Sequence, residues 1–296
     1  MATRSATSSR GTALSRNPPR MEVRSLAGAV ARWAVLLGVA VAIVVPIGFA
    51  FISGFRTTGA IRNDPAGLPN PWSFDRYIEI LTGETYWQQL FNSIVIAALT
   101  VSIVVTVAAL AAYVFARFQF PGREALFTLF ALGLLFPAAV AILPLYILLR
   151  TVGLLENPLG VALPLAAFGI PLTIIILRPF FRSIPVELED AAAIDGCSRF
   201  GFFWRVLLPL SRPALSTVAV LALVGSWNAF LLPLLVLGSQ DQWPLPLGVF
   251  NFSAQYSQDV AGVLAYTSLS MVPALLFYVV AERQLIGGLT SGAVKG

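Results

Sequence analysis

The chain contains no histidine, a single cysteine (Cys197) and a single lysine (Lys295), and only 11% of its 296 residues are charged. Each shortage excludes something. Without histidine there is no Ser–His or Cys–His nucleophile pair, no HExxH zinc site and little general-base chemistry near neutral pH. One cysteine makes no intramolecular disulfide, so the redox compartment cannot be read from it. A phosphate-binding loop of the Walker A kind needs its lysine between a strand and a helix, and Lys295 lies one residue from the last; ATP is not held in that manner here. Soluble domains carry roughly 25% charged residues. This chain has less than half of that, with 57% hydrophobic residues and a mean hydropathy of +0.82. A core of ordinary size does not require such a surplus, so the composition predicts an all-α membrane protein.

The missing charge is concentrated in stretches. Six charge-free intervals, Trp33–Phe55, Thr85–Ala116, Ala125–Leu149, Asn157–Leu177, Pro213–Gln240 and Val260–Ala281, contain 23, 32, 25, 21, 28 and 22 residues. Each reaches the roughly 20 residues that a spanning helix needs, so six transmembrane helices are expected. A seventh stretch, Gln242–Gln258, is shorter and holds Pro244, Pro246, three glutamines and Asn251. It reads as a loop or a re-entrant element packed on protein. The six spans have no Asp, Glu, Arg or Lys in their interiors, whereas ion-coupled carriers commonly place ionisable groups at that depth. Energy for uphill transport would then come from another subunit, and a passive channel remains open. No catalytic residue and no metal ligand is expected.

The basic residues are divided unequally between the two sides that six spans define. Fifteen of the nineteen (in the N-terminal arm, the 2–3 loop, the 4–5 loop and the tail) fall on one side; Arg56, Arg62, Arg76 and Arg150 fall on the other. By the positive-inside rule both termini are cytoplasmic. The net charge of +5 then reflects topology, with no nucleic-acid partner implied. Residues 1–30 are read as a disordered basic cytoplasmic arm, although the Arg-, Ser- and Thr-rich first 20 also suit a transit peptide. Residues 31–84 hold the first span and an external loop, 85–285 a five-helix core, and 286–296 a cytoplasmic tail.

Proline is dense in the third and fourth spans (Pro137, Pro144, Pro158, Pro164, Pro171), which implies bent helices shaping a cavity. Hydroxyls at Thr100, Ser102 and Thr106 are read as helix-packing residues. A polar solute would need hydrogen-bond partners and aromatic faces along its path. Trp227 and Asn228 offer both together; Asn92, Tyr146 and Tyr266 are weaker candidates. An amide facing lipid is costly, so Asn228 either faces a cavity or holds the bundle by an interhelical hydrogen bond.

The 4–5 loop carries the most information. Pro185 suits a first helical position, and Glu187, Glu189 and Asp190 fall in the opening turns, where the helix dipole favours negative charge. Ala191, Ala192 and Ala193 follow, Gly196 suits a left-handed cap, and Ser198 suits the N-cap of a second helix with an apolar stripe of Phe202, Phe203, Val206 and Leu207. Pro209 and Pro213 bracket the start of the fifth span. Two short helices with an acidic turn and a flat alanine face make either a docking surface for another protein or an ordinary interfacial elbow.

Asp190-Ala191-Ala192, three residues, Gly196, nine residues, then Val206-Leu207-Leu208-Pro209 resembles the EAA loop of permease subunits of ABC importers. Asp190 replaces the usual Glu and Val206 the usual Ile. The tail Gly288–Gly296, Ser226-Trp227-Asn228 with Phe230, and Trp243–Gly248 look like the maltose-type (MalG-like) carbohydrate permeases. The resemblance covers roughly residue 85 onward and the first span. It implies a type I importer transmembrane domain in which this chain forms half of the translocation pathway for a sugar or oligosaccharide, or another small polar solute. Its partners would be a second (MalF-like) permease, two ABC ATPases that bind the ATP and Mg, an external solute-binding protein and the lipid bilayer, with no cofactor in this chain. The residues implied for ATPase coupling are Glu187, Glu189, Asp190, Ala191, Ala192, Asp195, Gly196, Phe200 and Pro209. In a Cys197→Ser background, a cysteine introduced beside Asp64 should react with impermeant thiol reagents only from outside. Labelling from the cytoplasmic side alone would overturn the topology.

Overall fold

The computed structural model describes residues 26–252 and 259–293, and no strand occurs among them. The chain divides into two units, residues 1–46 and 47–296. The described part of the first unit is the apolar beginning of helix α1 (Leu26–Ser53). The arginine-rich residues 1–25 lie outside the described residues, as do 253–258 and 294–296. Four helices are long and apolar enough to cross a membrane, or six if each of two bent helix pairs counts as one span. That agrees with the six expected, although two of the six are not single helices.

In the second unit the segment expected as an external loop is largely ordered. Helix α2 (Thr58–Asn63) opens on Thr57, whose side chain accepts from the Ala60 amide. Buried Arg56 donates to the α2 carbonyl of Ala60 and to that of Asp64 at 2.9 and 2.6 Å. Helix α3 (Asp75–Thr82) follows, and Phe55 gathers Trp72, Phe74 and Tyr77 with ring centroids 4.5–5.4 Å away. Tyr77 is buried and joins Tyr86, Trp227 and Tyr266 in a shared core, against which Phe55 packs, while Trp72 and Phe74 stay exposed. Trp87 is exposed, as suits an aromatic at a membrane interface, while Tyr86 is buried.

Helix α4 (Glu84–Arg117) and helix α7 (Pro158–Ser183) form the centre of this unit. Small residues of α4, the fully buried Ala108 and Ala112, face an α7 whose Ala162, Ile174 and Leu177 are equally buried. A β-carbon on Gly169 would stand 3.2 Å from a Val104 methyl, which shows how closely the backbones approach. In a membrane, where lipid tails compete for apolar contact, this close packing holds helices together.

Between these two helices the expected third span is broken. Helix α5 (Arg123–Leu132) and a 3₁₀ turn, Gly133–Leu135, lead to an extended Phe136-Pro137, and helix α6 (Ala138–Thr151) leaves at 98°. Pro137 lacks an amide to continue the hydrogen-bond ladder and disfavours helical backbone before it. By contrast α7 is one helix despite Pro164, Pro171 and Pro179. Asn157 caps it by accepting from Leu159 N, with Pro158 at the first position.

The fifth span is shorter than its charge-free window. Helices α8 (Glu187–Ile194) and α9 (Arg199–Phe202), a π turn over Phe203–Leu207 and helix α10 (Leu208–Leu210) lead into helix α11 (Arg212–Trp227). The 199–210 segment meets α11 at 80°. Beyond Trp227 the chain turns and makes the short helix α12 (Leu231–Val236). The 242–258 stretch begins as 3₁₀ turns, Gln240–Gln242 and Leu245–Phe252, and is not a span over its described part. Helix α13 (Val260–Ala293) runs on into residues expected as a tail. Ala108→Leu should overfill the α4–α7 contact and cost about 1–3 kcal/mol, seen as a lower melting temperature of the purified protein. Leu110→Ala, at an exposed position of α4, should shift it much less.

Candidate functional site

The 4–5 loop folds as its residues suggest. Helix α8 carries Glu187, Glu189 and Asp190 in its first turn and ends at Asp195 and Gly196, whose φ is +77°. In that left-handed conformation a β-carbon is strained. Ser198 caps α9 by accepting from Gly201 N at 3.1 Å. One boundary differs: α8 opens at Glu187, and Pro185 lies ahead of it, its carbonyl accepting from Leu188 N at 3.4 Å. Terminal turns commonly shift by a residue or two.

The loop has two distinct faces. Glu187, Asp190, Ala191, Ala193, Ile194, Asp195 and Gly196 are exposed, while Glu189 and Ala192 turn inward. Ala192 packs with Cys197 on the core of Tyr113, Phe181, Phe202, Phe203 and Leu207. The expected alanine face is therefore divided: Ala191 looks out and Ala192 anchors. Ile194 is 87% exposed and Phe200 65%, so an apolar tip sits beside the carboxylates of Asp190 and Asp195. The sequence reading missed Ile194. Its signal was a β-branched apolar residue one position before an acid–glycine cap. Pro209 is exposed in α10, before the bend. Glu189 stands 3.8 Å from Arg117 of this same chain, so not every acid of the first turn points to solvent.

Neighbouring charge straps the loop's root. Buried Arg178, on the last turns of α7, donates to the Glu124 carboxylate and to the Phe115 carbonyl at 3.3 Å. Its guanidinium lies 3.9 Å over the Phe127 ring. Arg123 and Arg182 also reach Glu124, at 3.0 and 3.3 Å. These contacts tie α5 to the end of α7.

A cavity of about 240 Å³ lies between α4, α7 and α11. Its walls are mostly apolar (Val104, Leu165, Phe168, Leu221), with hydroxyls at Thr100, Thr173 and Ser226. Ser226 Oγ and Thr100 Oγ1 are 3.4 Å apart, a buried contact between α11 and α4. Thr100 was expected only to pack, Ser226 entered only through the family resemblance, and Thr173 was not singled out. Hydroxyls beside glycines, as in Gly225-Ser226, were the available signal.

None of the five expected path residues lines that cavity. Trp227 is buried edge-on to Phe277, centroids 5.6 Å apart. Asn228 is exposed at the end of α11, and its amide donates to Val224 O of its own helix at 2.9 Å. The two side chains thus do not share one wall, and the Asn228 bond is not interhelical. Asn92 donates to the Asp241 and Trp243 carbonyls at 2.7 and 3.1 Å, fastening the 240–252 turns to α4. Tyr146 is half-buried on α6. Tyr266 is buried and donates to Gln89 Oε1 at 2.5 Å, which also accepts from Asn251 at 3.4 Å. Tyr266 borders a second cavity of about 410 Å³ with Tyr86, Asn251 and Phe252.

The profile of the family described as binding-protein-dependent transport system inner membrane component matches residues 105–284. The diacetylchitobiose uptake system permease protein NgcG of Streptomyces coelicolor is 35% identical over 264 residues, 88% of this chain and 87% of that protein. The trehalose transport system permease protein SugB of Mycobacterium tuberculosis is 34% identical over 267 residues, 89% and 97% of the two chains. A chain from the crystal structure of a bacterial ABC transporter involved in alginate import has the same fold, with a TM-score of 0.75 at 24% identity, covering 90% of this chain and 99% of that one.

Removing the hydroxyl in Tyr266→Phe strips buried Gln89 of a donor and should cost about 1–3 kcal/mol, whereas Asn228→Ala should cost no more than about 1 kcal/mol. Melting temperatures of the two purified variants compare them, and an equal or reversed order would contradict this geometry.

Proposed function

The chain belongs to the family of binding-protein-dependent transport system inner membrane components, and from that membership we propose that it is the permease subunit forming half of the translocation pathway of an ATP-driven sugar or oligosaccharide importer. The observation that carries the coupling role is the exposed loop. Asp190, Ala191, Ile194 and Gly196 present a smooth, small-residue surface with an apolar tip, which suits insertion into a cleft of a separate ATPase subunit. Two such subunits would hold the ATP and Mg, and this chain would be non-catalytic. A second permease would supply the other half of the path and an external binding protein would deliver the solute. The chain would lie in the bacterial cytoplasmic membrane with both termini cytoplasmic, which the bias of the basic residues supports.

A sugar is favoured because relatives at 34–35% identity are named as permeases for diacetylchitobiose and trehalose. The small hydroxyl-bearing cavity between α4, α7 and α11 would form one wall of the path. Hydroxyls there replace water for a polar solute without placing a charge in the membrane.

The coupling surface is tested with Gly196→Val in the assembled transporter. The left-handed backbone at this position disfavours a β-branched side chain, at a cost on the order of 1 kcal/mol or more, and α8 should be misaligned. Uptake should fall severalfold while the complex still hydrolyses ATP, with Asp190→Ala milder in the same direction. Normal uptake in Gly196→Val would leave the loop an interfacial elbow, and uptake independent of any ATPase would indicate a passive channel.

A further inference from the structure

Two residues on the last turns of α4 grip the 4–5 loop from opposite ends. Arg117 Nη2 donates to the Ile184 carbonyl at 2.7 Å, where α7 ends and the loop begins. Tyr113 donates its hydroxyl to the Arg199 carbonyl at 3.0 Å, where α9 begins. Tyr113 and Arg117 are four residues apart and so share one face of α4. Between the two grips lies all of α8. Arg117 also places its Nε 3.8 Å from Glu189 in the first turn of α8, and this Nε has no hydrogen-bond partner. Both side chains are nearly buried, and the Tyr113 ring is held between Phe203 and Phe118, centroids 5.1 and 5.4 Å away. The Arg199 guanidinium lies 5.1 Å over that same Phe118, adding a contact on the exit side.

The loop is covalently continuous with α7 and, through α10, with α11; α4 is not its chain neighbour. Along the chain a displacement of the loop acts on α7 and α11; α4 feels it only through its side-chain packing and through these two grips. Yet α4 supplies Thr100 and Val104 to the cavity wall, about 20–26 Å along the helix from Arg117. We infer that Tyr113 and Arg117 are positioning residues that fasten α4 to the loop, so that α4 moves with it when the loop is displaced. This inference rests on the reading of the loop as the ATPase-docking element. A carbonyl at a helix end and another at a helix start are rigid backbone handles, so the grip transmits force without relying on flexible side chains of the loop.

The experiment uses the complete transporter in lipid discs, in a Cys197→Ser background. An environment-sensitive fluorophore is placed either on α4 through Val107→Cys or on α11 through Val224→Cys, both exposed positions. The measured quantity is the change on trapping with ATP and vanadate. With Tyr113→Phe and Arg117→Met together, the α4 response should fall at least fivefold while the α11 response persists. Arg117→Lys, which still donates to the Ile184 carbonyl, should restore at least half of the α4 response. Tyr113→Phe alone keeps the ring packing and should give a smaller loss of the same kind, which covers the case of a poorly folding double variant. An unchanged α4 response overturns the inference, as does equal loss at both positions, which would mark a purely structural role. If Gly196→Val also leaves both responses intact, the docking reading itself fails.

Discussion

The close approach of α4 and α7 is the contact from which the rest of the second unit is organised. In hydrocarbon, apolar side chains gain little by leaving lipid, so two helices stay together by fitting closely. Alanines at 108, 109 and 112 and the glycine at 169 let the backbones come near enough. That contact sets one wall of the cavity between α4, α7 and α11. It also brings the end of α4 beside the point where α7 gives way to the 4–5 loop. The Glu124 strap then adds α5 to the same assembly through buried Arg178.

How much could be read from the residues alone depends on which physical signal each feature leaves. Absence of charge locates membrane segments well, and the number of spans follows from it. It is blind to where a helix breaks inside an apolar run, because a break changes hydrogen bonding and not hydropathy. The turn at Phe136-Pro137 had a local marker in its proline, but Pro164 and Pro171 carry the same marker within an unbroken helix. What distinguishes them is tertiary: α7 is packed on α4, whereas α6 shows mostly exposed side chains. The end of α11 at Trp227 left no charge or proline signal at all.

The loop was legible for the opposite reason, since its signals are backbone chemistry. A glycine at the required left-handed position and a serine ahead of a helical turn act within three or four residues, so no knowledge of neighbours is needed. The candidate path residues required such knowledge. Aromatic and amide side chains were favoured for their chemistry, but Trp227 and Tyr266 are drawn into cores and Asn92 fastens a turn. Smaller hydroxyls, which leave room beside them, border the cavity instead.

The π turn over Phe203–Leu207 has a consequence of its own. Such a turn holds one residue more than the α-helical repeat, and it lies between the caps of the loop and the bend into α11. Phe203 and Leu207, at its two ends, are buried while Trp204 remains outside. Deleting one residue from the turn itself would return it to ordinary helix and keep its flanks nearly in phase, whereas deleting one from the α-helical residues beside it would turn everything before it by about 100° around the axis. Between Ser198 and Arg212 the α-helical residues therefore set the phase of the loop, while the π turn is the one place in this stretch where losing a residue leaves that phase in register.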